Sequence, residues 1–322
     1  MKRWLRWIGM ALAIAGSIAF VGYVLSSLHV EDLKSHLSPT AIVALLGSIL
    51  LYSLVVPLGA LAWKQLLADM GHRVRFPALN AILLATQAGK YLPGNIGQHI
   101  GRIGLSLSHG IPAGILIASM AYEVVLLLLA DVLTAVVSGA LSKPGLQFLL
   151  HDRGMGLAIV VAVAIAGLAA IPLLGKVLPA LVERIVSRNG VAVERLQPLR
   201  LKTMAIVIAI DAGAMLCVGA SISVLALGLF KNVPVDFALL TAAFTIAWAV
   251  GFVTPGAPAG IGVREALLLL MLSPSLGAAD ASLLILALRI ATTLGDMLCF
   301  AAGLVQMAWM RRRGPPLTGA QP

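Results

Sequence analysis

Charge is scarce in this sequence: Asp, Glu, Lys and Arg make up 11% of 322 residues, against 60% hydrophobic residues. A soluble domain carries about 25% charge, so a water-facing surface of ordinary size cannot be built from this chain. Cysteine is nearly absent as well. Cys217 and Cys299 both fall inside apolar runs, which excludes a disulfide framework and a cysteine metal cluster. Catalytic patterns are missing too: there is no H-E-x-x-H, no G-x-S-x-G, no G-x-x-x-x-G-K-[ST] and no glycine fingerprint between a strand and a helix. No catalytic residue, cofactor or metal is therefore expected. Acidic residues are few, 13 against 23 Lys and Arg, leaving a net charge of +10. Nucleic acid attracts such a balance, but here the basic residues gather at the ends of apolar runs. Membrane orientation explains them there, and no nucleic-acid partner is expected.

What the chain has in quantity is long apolar sequence, with a mean hydropathy of +1.01. Segments 8–28, 41–63 and 154–175 contain no Asp, Glu, Lys or Arg, and each is long enough to cross the roughly 30 Å hydrocarbon layer as a helix. Segments 112–141, 203–230 and 281–310 are also long enough, though they carry charges. The expected fold is all-α: a polytopic integral membrane protein with six spanning helices, forming one transmembrane domain over residues 1–322. The basic start "MKRWLRW" resembles the beginning of a signal peptide, but the following run is too long for one, so an uncleaved first helix is expected. With a cytoplasmic N-terminus, 15 of the 23 basic residues lie on the inside and only Lys34, Lys143, Arg153 and Lys231 on the outside. That bias places both termini in the cytoplasm and the protein in the cytoplasmic (inner) membrane. The stretch 176–202 carries an apolar stripe through Val177, Leu178, Leu181, Val182, Ile185 and Val186; it reads either as a helix lying on the cytoplasmic leaflet or as a solvated linker.

Two stretches interrupt the apolar pattern, "GKYLPGNIGQHIGR" from Gly89 and "TPGAPAGIGVRE" from Thr254. In both, a Pro-Gly is followed by glycines and then an Arg, with equal spacing from Pro93 to Arg102 and from Pro255 to Arg264. Each follows an apolar arm and precedes a long helix with internal ionisable groups. The half-repeats are 78–141 and 237–310. Pro lacks the N–H and stops a helix, while Gly permits a turn back, so Pro93, Gly94, Pro255 and Gly256 are the expected hinges. Three spanning helices separate the breaks, so two re-entrant hairpins would enter from opposite sides as an inverted repeat. Such backbone survives at membrane depth only when sheltered by protein or lining a wet cavity. Ordinary interfacial loops between short helices are the alternative.

Nine ionisable residues fall within the membrane region: Lys90, Arg102, Arg264 and Arg289 against Glu123, Asp131, Asp211, Glu265 and Asp296. Each isolated charge at the bilayer centre costs on the order of 3 kcal/mol, so these should face inward and pair or meet water. Arg289 and Asp296 are seven residues apart on one helix face, and each is expected to find its partner on another element. A helix starting after Pro93-Gly94 aims free N–H groups inward, and with Arg102 and Arg264 nearby it suits a phosphate. Lys90, Tyr91, Gln98, Arg102, Arg264 and Glu265 are the candidate headgroup-binding residues; Glu123, Asp131, Arg289 and Asp296 are candidates for gating or coupling. A purely structural role for the same charges stays open, as does a plain hydrogen-bonding role for His99 and an interfacial one for Tyr91.

The two glycine-rich stretches resemble the signatures of the lysylphosphatidylglycerol synthase transmembrane-region family, over about residues 41–311. On that resemblance Tyr91, Pro93, Gly94, Gln98 and Arg102 match the first motif, and Pro255, Gly256, Gly260, Gly262, Arg264 and Glu265 the second. Ala259 departs from the pattern, where a second Gly is more usual. A soluble aminoacyl-transferase domain is absent, so the resemblance implies a lipid-translocating module rather than a synthase. The expected function is movement of an anionic or modified membrane lipid between leaflets. An accessory subunit presenting a lipid to a separate lipid-modifying or glycosyl-transferring enzyme is the alternative, and an intramembrane enzyme using Glu123 or Glu265 as a base is a third reading.

Overall fold

The computed structural model describes residues 38–91, 97–107, 110–151, 198–230, 235–254 and 260–312, with some helical residues between 162 and 184. The span expected at 8–28, most of the one at 154–175 and most of the linker at 176–202 lie outside the described residues, as do Pro93, Gly94, Pro255 and Gly256. Among the described residues the fold is all-α with no strand. The elements are α1 (Pro39–Ser53), α2 (Val55–Asp69), α3 (Phe76–Thr86), a 3-10 turn (Gln87–Tyr91), α4 (Gly97–Leu107), α5 (Ala113–Leu141), α6 (Lys143–His151), α7 (Leu201–Leu229), α8 (Phe237–Val253), α9 (Val263–Leu276) and α10 (Ala278–Arg312).

Four stretches are long and apolar enough to cross a bilayer: Pro39–Asp69, Ala113–Leu141, Leu201–Leu229 and Ala278–Arg312. The chain is thus a multi-pass membrane protein. The first of these is longer than the charge-free segment 41–63, and it is two helices rather than one. Pro57 has no N–H to offer the carbonyl of Ser53, and the ladder is interrupted one turn earlier, where Leu54 N–H bonds Leu51 instead. α1 shows the inside-out character of a lipid-facing helix. Ile42, Val43, Leu46 and Leu50 point outward, while Ala41, Ala44, Ser48 and Tyr52 are buried. With hydrocarbon outside, small and polar residues gain most by facing other helices. Ser48 and Ser221 accordingly share a hydrogen bond of 2.6 Å between α1 and α7.

Two short pairs of helices carry the glycine-rich stretches. α3 packs on α4, and α8 on α9. In the first pair the backbone comes close to itself at Gly89, where a Cβ would lie 2.5 Å from Gln98 N. In the second pair a Cβ on Gly251 would lie 3.3 Å from Gly260 Cα. Gly89 and Gly251 stand at the same distance before their respective prolines, so both chains close on themselves at matching positions. Gly260 has φ +69°, a left-handed conformation that an L side chain would strain.

The pairs exchange partners. The long helix of the first half, α5, packs against α8 of the second, and the long helix of the second half, α10, packs against α3 of the first. α7 lies between the halves and touches α1, α2, α5 and α8. Four apolar clusters form among the described residues, the main ones surrounding Phe244, Leu268, Leu284 and Leu288, then Leu66, Tyr122, Leu126 and Met204, then Trp63, Leu67, Leu79 and Leu116.

Candidate functional site

A cavity of about 210 Å³ takes its wall from both halves. Of the candidate residues, Lys90, Tyr91, Gln98, Arg102, Glu123, Arg264, Arg289 and Asp296 all line it. Residues separated by up to 206 positions in sequence are thereby brought to one place.

Arg102, in the second turn of α4, is 7% exposed. Its guanidinium donates two bonds to Glu123 of α5, Nη1 to Oε1 at 3.1 Å and Nη2 to Oε2. The planar fork suits a carboxylate in this bidentate way. The ring of Trp63 lies beneath it, 3.7 Å from the guanidinium carbon, and Trp63 Nε1 is held by Ser119 Oγ at 2.9 Å. Arg102 is therefore clamped on one side by charge and on the other by an aromatic face.

Asp296 of α10 collects the largest group of donors. Lys90 Nζ reaches Oδ1 at 2.6 Å, Gln87 Nε2 at 3.0 Å and Tyr52 Oη at 3.2 Å, and Tyr91 Oη donates to Oδ2. Lys90 also lies within 6 Å of both tyrosine rings. The first glycine-rich stretch is in this way tied to the second half. Arg289, as expected, pairs with another element rather than with Asp296: its Nη1 donates to Glu265 Oε1 at 3.3 Å.

Glu265 departs from the headgroup-binding role expected of it. It does not line the cavity, and its other oxygen accepts the Gly262 N–H at 2.7 Å, at the start of α9. With one oxygen on a helix N-terminus and the other on Arg289, the carboxylate is consumed by structure. Asp131 also stands away from the cavity wall, two turns beyond Glu123 on α5, and is 1% exposed.

Arg264 is different from the other cations. It is buried, it lines the cavity, and its guanidinium lies 5.5 Å from the ring of Phe244. No carboxylate of the described residues pairs with it. The wall thus holds three cations in ion pairs and one, Arg264, that forms none among the described residues. An arginine in this state favours an anion with two oxygens in a plane, such as a phosphate.

Tyr52, Trp63, Gln87 and Asp211 belong to this site and were not among the candidates from sequence. Tyr52 and Trp63 sit in an apolar run, where an aromatic carries no sign of its partner. Gln87 precedes the motif by two residues and is read only from the Asp296 contact.

No curated protein matches the chain. A family model does, over residues 7–299, which takes in both glycine-rich stretches and every cavity residue described above. The chain belongs to the lysylphosphatidylglycerol synthase TM region family.

Proposed function

We propose that this protein is a lipid translocase of the cytoplasmic membrane, moving an anionic or modified lipid between leaflets through the cavity. The observation that carries the proposal is Arg264: a buried guanidinium on the cavity wall without a carboxylate partner among the described residues. A phosphate headgroup supplies the missing charge. Lys90, Tyr91, Gln98 and Arg102 form the facing wall, and the bonds of Lys90 and Tyr91 to Asp296 act as the gate between the halves.

The reciprocal packing of α5 on α8 and of α10 on α3 supports an inverted repeat, with the two glycine-rich pairs dipping into the bilayer from opposite sides. The paired charges and buried contacts would shelter such backbone from lipid. On this reading both termini are cytoplasmic, the protein makes and breaks no covalent bond of the lipid, and its partner is the membrane lipid itself.

The test uses purified protein in vesicles containing a fluorescent phosphatidylglycerol. The protein is expected to bring probe from the inner leaflet within reach of a membrane-impermeant reductant, faster than empty vesicles do. Binding of the probe without movement would overturn the translocase reading and favour the accessory role, in which the lipid is presented to a separate lipid-modifying or glycosyl-transferring enzyme. Chemical conversion of the lipid by the purified protein would overturn both.

A further inference from the structure

Two buried carboxyl groups form no ion pair among the described residues. Asp131 on α5 is 1% exposed and Asp211 on α7 is 5% exposed. Neither oxygen of Asp131 has a hydrogen-bond partner among the described residues, and neither does Asp211 Oδ2. The ion pairs of the described residues go elsewhere, to Asp69, Glu123, Glu265 and Asp296. Asp211 lines the cavity, whereas Asp131 lies behind the wall on a helix packed against α7.

Among the described residues no surrounding group forms an ion pair with either carboxyl. Arg264 shares the cavity wall with Asp211 without pairing with it, and the helical residues 162–184, packed on α5 at Leu129 and Leu133, bring Lys176, Glu183 and Arg184. α8, packed on both helices, contains no titratable side chain. α4 brings His99 and Arg102, the latter bound to Glu123. α2 brings Lys64 and Asp69, the latter held by Arg200. α1 brings Tyr52, bound to Asp296. α10 brings Arg289 and Asp296, both engaged, with Asp280, Arg311 and Arg312 near its ends. α6 brings Lys143 and His151 at the far end of α5. A bare carboxylate in such surroundings is costly, and a small cation must meet it. No group of three or more His, Cys, Asp or Glu that could hold a metal ion occurs among the described residues. A proton needs one oxygen. Thr134, one turn after Asp131 on the same helix face, presents a buried hydroxyl that is also unpartnered and suited to a protonated carboxyl.

We propose that Asp131 and Asp211 form a proton-binding pair that couples lipid movement to the proton gradient across the membrane. The coupling half of this statement rests on the translocase reading above. A hydronium ion reaching the cavity gives its proton to the Asp211 carboxylate and leaves water; Asp131 holds the second proton behind the wall. With Asp211 neutral, Arg264 dominates the cavity and the anionic headgroup binds. Return of the proton to water on the other side restores a negative charge to the wall, which repels the headgroup and moves it on. Only O–H bonds form and break.

Two measurements on the full chain decide this. The first is independent of lipid: infrared spectroscopy of the purified protein at mildly acidic pH should show protonated-carboxyl C=O absorption, part of which is lost in Asp131→Asn and part in Asp211→Asn. Absence of that absorption, or its persistence unchanged in both variants, overturns the pair. The second follows fluorescent phosphatidylglycerol in vesicles with and without an imposed pH gradient. Wild type should move the probe faster with the gradient, Asp211→Asn should lose that response, and Asp211→Glu should regain it. A wild type that moves the probe at one rate regardless of the gradient overturns the coupling. A wild type that moves no probe at all overturns the translocase reading and the coupling with it, while the infrared result still settles the proton pair.

Discussion

Lys90 and Asp296 stand 206 residues apart in sequence, and their side chains meet at 2.6 Å on the cavity wall. Asp296 also takes Tyr52, Gln87 and Tyr91, so one carboxylate gathers the first glycine-rich stretch onto the last long helix. Asp296→Ala removes the counter-charge and strands the Lys90 ammonium against protein. It is expected to cost about 3–5 kcal/mol, the range for breaking a buried pair from one side. Asp296→Asn, whose amide oxygen at the Oδ1 position keeps the three acceptor contacts made there, should cost less, and Lys90→Ala in the Asp296→Ala background should recover part of the loss. Thermal unfolding in detergent, arranged as a double-mutant cycle, measures each.

The arginines of the two motifs occupy matching places and should behave unequally. Arg102→Ala leaves Glu123 without its fork and Trp63 without the cation above it, so a drop in melting temperature is expected. Arg264→Ala breaks no ion pair among the described residues and should melt close to wild type while losing affinity for vesicles rich in anionic lipid. Vesicle flotation and unfolding curves on the same two variants separate the effects.

Close backbone approach sets a third expectation. A Cβ on Gly303 of α10 would collide with the backbone at Leu84 and Ala85 of α3. Gly303→Ala should therefore destabilise by about 1–3 kcal/mol, the usual cost of overpacking. Gly213 on α7 has nothing within 4 Å of its would-be Cβ, and Gly213→Ala should be neutral or gain up to about 1 kcal/mol from the stiffer unfolded chain.

The long helices and the two polar interruptions were legible in the sequence because hydropathy and the Gly-Pro punctuation are local. So was the guess that Arg289 and Asp296 bind other elements, since seven residues on one helix put them too far apart to meet. Which partner each would find was not legible. Arg102 could as well have met Asp296, and only the packing of α4 on α5 gives it Glu123. Glu265 looked like a headgroup ligand, yet its position at the first turn of α9 commits it to the Gly262 N–H. Trp63 gave no signal at all, because an aromatic in an apolar run looks the same over a guanidinium as against lipid. The exchange of partners between α5, α8, α10 and α3 is a tertiary fact that spacing along the chain does not encode.

The proposed entry of the two glycine-rich pairs from opposite sides is open to direct chemistry. Gly94→Cys and Gly256→Cys, each in a background with Cys217 and Cys299 replaced by Ala, should react with a membrane-impermeant maleimide from opposite sides of sealed vesicles. Reaction of both from the same side would rule out an inverted repeat.

The most direct measurement is native mass spectrometry of the protein after mild purification. Wild type should carry a phosphate-bearing lipid at near-stoichiometric occupancy, and Arg264→Ala should lose most of it while remaining folded. Equal occupancy by the same lipid in both proteins would contradict the assignment of Arg264 as the headgroup's counter-charge.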